Sequence, residues 1–368
     1  MGDGLRALRA AARAELQQFS RSRVLVGLVF VEAITFLVLV SLFGLTGAYA
    51  PTALIDNDRG PLARSFVQHL EAAHHSFRLK PMTLREAQDK IRSGEIVDII
   101  TIPRGFSDAI SHGRTVLLPV TVDNVNADLT TDIREALPST ITAFGYDHGF
   151  PGIRLHAVER DLIDHDTGYI PYLVVSALGL TAFVIAGILG AVTVTREFEA
   201  RTVTQWRLAP VHPGWLLAGK LAAATLVSAL ALAAAVLVVL AGYGVTPDHP
   251  VAAFGSLLIC VPMFTCVGAC AGALLRRTLP VAALFFGLAL PLYIDSGAIE
   301  PVRFDGDKVW SIGHTSPVYQ AIGLIAWGFH GYHVTPESNV QNLAVLLAWA
   351  LTSVLVAAAV LRSRVVNR

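Results

Sequence analysis

The sequence predicts an α-helical polytopic membrane protein with six transmembrane helices and an inserted external α/β domain. Of its 368 residues, 54% are hydrophobic and only 15% are charged, and the mean hydropathy is +0.57. Six apolar stretches approach or exceed the roughly 20 residues that cross the hydrocarbon core of a bilayer. Between the first and second stretches lie more than a hundred mostly polar residues, which are too many for a loop.

The composition also excludes several classes of protein. An average soluble domain is about 25% charged, so a soluble enzyme is disfavoured. The 28 basic residues balance 28 acidic ones, whereas a nucleic-acid-binding protein is expected to be basic. Three cysteines are too few for a disulfide framework. The high apolar content excludes a disordered chain.

The spans are predicted from stretches that contain almost no charge. They are residues 24–46, 170–194, 221–243, 251–275, 278–294 and 343–361. Only the first contains a charged side chain, Glu32. A seventh apolar stretch, Val318–His330, is short enough to be a re-entrant or interfacial segment, which we place in an external loop at 295–342.

The basic residues predict the orientation. With six spans, half of the Lys and Arg residues fall in the N-terminal segment, the loop 195–220, the turn Arg276–Arg277 and the tail 362–368. Basic residues of short loops favour the cytoplasmic side, so both termini are predicted to be cytoplasmic. Arginine far outnumbers lysine and alanine is abundant, which indicates a GC-rich bacterial genome and hence a bacterial cell membrane.

The inserted segment, residues 51–169, alternates strand-like and helix-like patterns. The predicted strands are Ala53–Asp56, Val97–Ile102 and Val116–Val122, and the predicted helices are Pro61–Ala73 and Thr83–Ser93. Thr83 and Glu86 have the spacing of a capping box, and Gly94 follows the helix they begin. Strands that alternate with helices predict a small α/β domain.

The loop Thr195–Lys220 is the most informative cytoplasmic segment. Glu197 and Arg201 are spaced to pair on a short helix. Another face of that helix would carry Phe198, Thr202 and Trp206, and Pro210 would end it. Such a helix either docks a cytoplasmic partner or only lies among the lipid headgroups, and the residue pattern favours neither.

This loop resembles that of the permease subunit of ABC-2 type ABC transporters, whose pattern is R-E-x-E-x-G-T-x-E-x-L-x-x-x-P…G-K. The chain matches it at Arg196, Glu197, Glu199, Thr202, Pro210, Gly219 and Lys220. It departs at Arg201, where the family has Gly, and at Thr204, where Glu is usual. Three further stretches are similar to family members with a large external domain: Ile55–Phe66, Asp98–Ile110 and the external-hairpin residues Ser316, Pro317 and Tyr319.

The resemblance implies a transport subunit that works with other chains. Residues 1–23 would form a cytoplasmic elbow helix, and the loop would contact a separate ATP-binding cassette ATPase subunit. The implied ATPase-coupling residues are Arg196, Glu197, Glu199, Arg201, Thr202, Gln205, Trp206 and Pro210. The partners would be that ATPase, a second permease copy and membrane lipids, with ATP and Mg²⁺ bound by the ATPase. The cargo would be an amphipathic or hydrophobic compound moved outward.

This interpretation assigns the chain no cofactor, nucleic acid or catalytic residue of its own. Gly214, Gly219 and Lys220 have the spacing of a phosphate-binding loop, but Leu221 stands where Ser or Thr would hold Mg²⁺, and no strand precedes the motif. The alternative function is a membrane-anchored receptor or envelope-interaction protein, whose external domain would bind a ligand without transport.

Two weaker signals lie inside the predicted spans. A charge near the bilayer centre costs on the order of 2.5–3.5 kcal/mol, so Glu32 either lies on the transport path or forms a hydrogen bond at a helix contact. Neither the three cysteines of the fourth span nor the scattered histidines supply a complete metal-ligand set at short spacing. Small residues of the second and fourth spans, including Gly187, Gly190, Gly268 and Gly272, indicate close helix packing.

Overall fold

The computed structural model describes residues 2–22, 27, 30–32, 34–35, 37, 50–73, 77–124, 127–149, 155–161, 169–208, 210–298, 311 and 313–366. Residues 50–161 form an α/β domain, and the other long elements are helices. Most of the predicted first span, 24–46, lies outside the described residues. The positions described within it are helical, and Glu32 among them is partly exposed.

The α/β domain contains a five-stranded mixed sheet. Its elements are β1 (Ala50–Asp56), α2 (Pro61–Ala72), β2 (Phe77–Pro81), α3 (Leu84–Arg92), β3 (Asp98–Ile102), α4 (Phe106–Ser111), β4 (Val116–Val122), α5 (Ala127–Asp147) and β5 (Leu155–Asp161). The strand order is β2-β1-β3-β4-β5. Strand β1 is parallel to β2 and β3, β4 is antiparallel to β3, and β5 is parallel to β4. The three predicted strands and two predicted helices are confirmed within a few residues.

Helices cover both faces of the sheet because apolar residues of the strands alternate between them. On one face Ile100 packs in a cluster with residues of α2, α4 and α5, among them Phe66. On the other face the neighbouring Ile99 packs with Ile91 of α3. Helix α3 begins as predicted, since the Thr83 side chain accepts a hydrogen bond from the N–H of Glu86 at 3.3 Å.

The remaining described helices form the helical part of the molecule. They are α1 (Gly2–Arg21), α6 (Tyr169–Glu199), α7 (Val203–Leu208), α8 (Pro213–Leu237, continued by a π-helical turn at Val238–Gly242), α9 (Pro250–Leu275), α10 (Thr278–Ile294), α11 (Pro317–His330) and α12 (Asn339–Leu361, continued by Arg362–Val366). Among the described residues, four helical stretches are long and apolar enough to cross a membrane: Ile170–Glu199, Pro213–Gly242, Pro250–Leu275 and Asn339–Arg364. Helix α10 is apolar but shorter. The protein is therefore a helical, multi-pass membrane protein.

Helix α6 lies at the centre of this bundle and is buried along almost its whole length. It touches α9 through small residues. A Cβ atom at Gly268 would lie 1.9 Å from the carbonyl oxygen of Gly187, and one at Gly190 would lie 2.1 Å from that of Thr265. Gly272 approaches Ala191 in the same way. The predicted packing role of these glycines is confirmed, because no side chain would fit between the two backbones.

Helix α11 covers the predicted segment 318–330. At 14 residues it is about 21 Å long, shorter than the hydrocarbon core. The Ser316 side chain caps it by accepting a hydrogen bond from the N–H of Val318 at 3.2 Å. The Tyr319 hydroxyl donates to Glu337 at 2.7 Å. Most of its side chains are buried, so the predicted external-hairpin residues hold a helix packed inside the bundle.

Candidate ATPase-coupling site

The coupling loop is shorter than the sequence predicts. Helix α6 continues to Glu199, five residues beyond the predicted end of the second span, and α8 already begins at Pro213. His212 caps α8, since the N–H of Gly214 donates to His212 Nδ1 at 3.1 Å. Between the two long helices, the described residues form the short helix α7 and its flanking turns.

Helix α1 crosses the beginning of α8 at backbone contact. A Cβ atom at Gly219 would lie 2.2 Å from the carbonyl oxygen of Leu8 and 3.0 Å from the Cβ of Ala11. Only glycine permits this approach. This contact turns one face of α1 towards the bundle. Ala11, Glu15 and Phe19 lie on that face, and all three are buried.

Three charged side chains meet where α1, α6 and α8 converge. Lys220 Nζ donates to Glu15 Oε2 at 2.7 Å and to Glu197 Oε1 at 2.6 Å. Glu15 is only 1% exposed, so its charge depends on this ammonium group for compensation. We call Glu15, Glu197 and Lys220 the charged junction. It connects the N-terminal helix, the end of α6 and the start of α8.

Neighbouring residues complete the junction. The Thr202 hydroxyl donates to the second carboxylate oxygen of Glu197. The Arg196 guanidinium lies 5.9 Å from the centre of the Phe19 ring, within the range of a cation–π interaction. Phe19 is one turn beyond Glu15 on α1, so Arg196 brings a second positive charge to the same side of that helix.

Glu199 makes a separate connection to α10. Its carboxylate accepts hydrogen bonds from the backbone N–H of Thr278 at 2.7 Å and from the Thr278 hydroxyl at 3.1 Å. This carboxylate caps the first turn of α10, where a negative charge is favourable. The hydroxyl groups of Thr195 and Thr278 are also 2.8 Å apart.

The predicted pairing of Glu197 with Arg201 is wrong. The helix that carries Glu197 ends at Glu199, and Arg201 lies in the following turn with φ of 57°. Glu197 binds Lys220 and Thr202 instead. Position 201 therefore has the left-handed backbone that glycine adopts most easily. Arginine thus occupies the conformation that the Gly of the family pattern would favour.

The predicted coupling residues divide into two groups. Those that make the contacts above are Arg196, Glu197 and Thr202, which are half-buried, and Glu199, which is exposed. Those on the surface are Arg201, Gln205 and Pro210. Leu208, which was not predicted, is 86% exposed at the end of α7. The Trp206 side chain lies outside the described residues.

The comparison with known families agrees with this architecture. A family model described as "ABC-2 family transporter protein" matches residues 25–359, which include the charged residues of α6 and α8. The chain belongs to this family. It is accordingly an ABC-2 permease, a membrane subunit for transport that is not itself catalytic. No curated protein matches the chain at a significant level.

Glu15 is the residue of this permease that sequence reasoning missed. It belongs to the charged junction, yet it entered the sequence analysis only as part of the charge total. Ala11, Glu15 and Phe19 follow the four-residue spacing of one helix face, and this spacing could have placed Glu15 among buried neighbours. Nothing in the spacing identifies Lys220, about two hundred positions away, as its partner.

The other candidate residues of the sequence have different surroundings. Gly214 and Gly219 lie in a continuous helix, and Lys220 contacts two carboxylates rather than forming part of a loop. The described part of the chain contains no group of three or more His, Cys, Asp or Glu residues that could hold a metal ion. The free cysteines Cys260, Cys266 and Cys270 line one apolar helix, α9. The role of Glu32 stays a prediction.

Proposed function

We propose that the chain is the permease subunit of an exporter that moves an amphipathic or hydrophobic compound outward. The energy would come from ATP hydrolysed by a separate ATP-binding cassette ATPase subunit. One observation carries this proposal: the short helix α7 lies between two membrane-length helices and ends in exposed side chains, and Thr202, in the turn before it, donates to Glu197 of the charged junction. Its exposed Leu208, next to Gln205, offers an apolar contact of the kind that protein partners cover.

The arrangement suits the transmission of force. A displacement of α7 acts on the end of α6 and the start of α8, which Glu197 and Lys220 hold together. Glu15 connects α1 to the same point, and Glu199 connects α10. A push from the ATPase on α7 would therefore move four helices together instead of bending one loop.

Several further properties belong to this proposal. The six spans follow from the apolar stretches of the sequence. The cytoplasmic termini and the external placement of the α/β domain follow from its charge distribution. The partners are the ATPase, which binds ATP and Mg²⁺, a second permease copy and the lipids of a bacterial cell membrane. The exposed apolar side chains of α10 and α12 are suited to contact with lipid or with the second copy.

The substitution Leu208→Glu tests the proposed contact. A carboxylate placed in the centre of an apolar interface should reduce the amount of ATPase that copurifies with the chain at least tenfold. It should also abolish the stimulation of ATP hydrolysis by the permease. The matched control is Leu84→Glu, the same change at an exposed position of α3 in the α/β domain, which should leave both quantities unchanged.

Two outcomes would contradict the proposal. A folded, membrane-inserted Leu208→Glu variant that retains the ATPase and the stimulated hydrolysis would show that α7 is not the contact. A wild-type chain that copurifies with no ATPase would instead favour the receptor or envelope-interaction function.

A further inference from the structure

The α/β domain contains a cavity of about 520 Å³ that the proposed transport function does not use. It lies beside α2, over the carboxyl ends of β1 and β2. Its lining includes Arg59, Arg64 and Gln68 together with the apolar side chains of Val67 and Met82. The volume falls in the range of sites for small molecules.

The topology of the sheet marks this place as a binding crevice. Strands β1 and β2 are parallel neighbours, and the helices that follow them, α2 and α3, pack on opposite faces of the sheet. In open α/β sheets, ligands bind in crevices outside the carboxyl ends of the strands. The cavity lies at the carboxyl ends of the parallel strands β1 and β2.

Two guanidinium groups give the cavity its charge. Within the described part of the chain, the side chains of Arg59 and Arg64 form no ion pair and no hydrogen bond. Both arginines are exposed, and among the other arginines of the domain Arg134 pairs with Glu159 at 2.6 Å. Asp56, the acidic residue of the lining, uses its Oδ1 to accept from the N–H groups of Asp58 and Arg59 at 3.0 Å, and so holds the turn.

Most N–H groups at the start of α2 already have acceptors within the protein. The N–H of Ala63 donates to the Ser107 hydroxyl at 3.2 Å, and the N–H of Gly60 donates to Asp58 at 3.2 Å. Pro61 has no N–H. An anion would therefore be held by the two arginine side chains, while Val67 and Met82 would contact an apolar group.

We propose that this cavity binds a phosphate monoester attached to a short apolar chain. Guanidinium groups bind phosphate oxygens in a bidentate fashion, and the two of them outweigh the single carboxylate of Asp56 in the lining, so the cavity favours an anion. The apolar lining requires the ligand to carry a hydrocarbon segment, which inorganic phosphate lacks.

The ligand comes from solution rather than from the bilayer. The chain enters the domain at Ala50 and leaves it after Asp161, and both lie at the sheet edge opposite the cavity. Strand β1 has seven residues, which span about 23 Å. A ligand in solution therefore reaches the cavity without passing the end of the sheet at which the chain enters and leaves. The inference does not depend on transport, so its failure would leave the proposed function intact.

Octyl phosphate is the probe for this site. The full chain, in nanodiscs of phosphatidylcholine, is titrated with octyl phosphate by isothermal calorimetry, and the double variant Arg59→Gln/Arg64→Gln is titrated in the same way. We expect saturable binding that the double variant weakens at least tenfold. The control Arg92→Gln removes an exposed arginine at the end of α3, outside the cavity lining, and should bind as the wild type does.

Three results would overturn the proposal. Equal binding by the wild type and a folded double variant would show that Arg59 and Arg64 do not bind the phosphate. If inorganic phosphate binds as tightly as octyl phosphate, the apolar chain of the ligand does not contribute to binding. If phosphatidic acid included in the nanodiscs competes with octyl phosphate, the ligand comes from the bilayer. If it does not compete, the ligand comes from solution.

Discussion

Two buried carboxyl groups, one in each part of the molecule, meet their surroundings in different ways. Glu15 of the helical part is 1% exposed, and the Lys220 ammonium lies 2.7 Å from it. Asp98 of the α/β domain is fully buried in the sheet, where the Thr52 hydroxyl donates to one of its oxygens. Within the described residues, its Oδ2 has no hydrogen-bond partner.

The difference shows that a buried acid can be neutralised by an ion or by a proton. Burial raises the pKa of Asp98 to about 8, and the hydrogen bond from Thr52 opposes this shift only in part. Asp98 is therefore largely protonated at neutral pH, whereas Glu15 keeps a cationic partner. The charge state of Asp98 therefore depends on pH, whereas the compensation of Glu15 depends on the presence of one lysine, Lys220.

The largest expected effect is the loss of that lysine. In Lys220→Met, Glu15 and Glu197 stay close together without the ammonium group that they share, and breaking a buried ion pair in this way costs about 3–5 kcal/mol. Denaturation of the purified chain in mixed micelles would measure this loss of unfolding free energy. The control Lys80→Met makes the same change at an exposed position of β2 and should cost less than about 0.5 kcal/mol. A similar loss in both variants would contradict the role of the junction.

The substitution Asp98→Asn tests whether Asp98 is protonated in the folded protein. The folded chain holds its proton up to about pH 8, whereas the unfolded chain releases it near the ordinary value of 3.8. The contribution of Asp98 is thus fully present below about pH 4 and is lost as the pH rises towards 8. Relative to the Asn variant, the wild type should lose about 2–3 kcal/mol of unfolding free energy between pH 5 and pH 7. Parallel pH profiles of the two proteins would show that Asp98 is not protonated.

Loss of the exposed carboxylate of Glu199 should change the unfolding free energy less than loss of either buried contact. Glu199 is exposed, but it accepts the N–H of Thr278 at the start of α10. Glu199→Ala should lower the unfolding free energy by about 1 kcal/mol through the loss of this cap. Since Thr278→Ala removes only the hydroxyl contact, it should have the smaller effect. If Glu199→Ala unfolds at the wild-type denaturant concentration, the cap contributes nothing.

The smallest effect concerns Arg201, whose side chain has no ion pair among the described residues. Arg201 has a left-handed backbone, which glycine adopts without a steric penalty. Arg201→Gly should therefore change the unfolding free energy by less than about 1 kcal/mol, in the stabilising direction. A marked destabilisation would mean that the Arg201 side chain, and not the backbone of the turn, holds the loop.

The sequence predicts local features of this molecule better than contacts between distant segments. The sequence predicts the strand Val116–Val122 and the helix that begins after Thr83 because the strand pattern and the capping residues lie within a few positions of one another. Strand β5, Leu155–Asp161, was missed because mostly polar side chains occupy it, with only Leu155 buried. The Glu197–Arg201 pair was mispredicted because the turn at position 201 interrupts the helix. The contact of Glu197 with Lys220 depends on how two helices pack, which spacing along the chain does not specify.

The central position of α6 has a consequence for biogenesis. This helix is apolar enough to enter a bilayer, yet in the folded protein its neighbours are other helices rather than lipid. Its hydrophobicity therefore serves the insertion step, and its small residues serve the later association with α9. The two requirements are separable. A larger apolar residue at Gly268 would leave membrane insertion intact and stop assembly afterwards, so that the defective chain would accumulate in the membrane as inserted but unpacked helices.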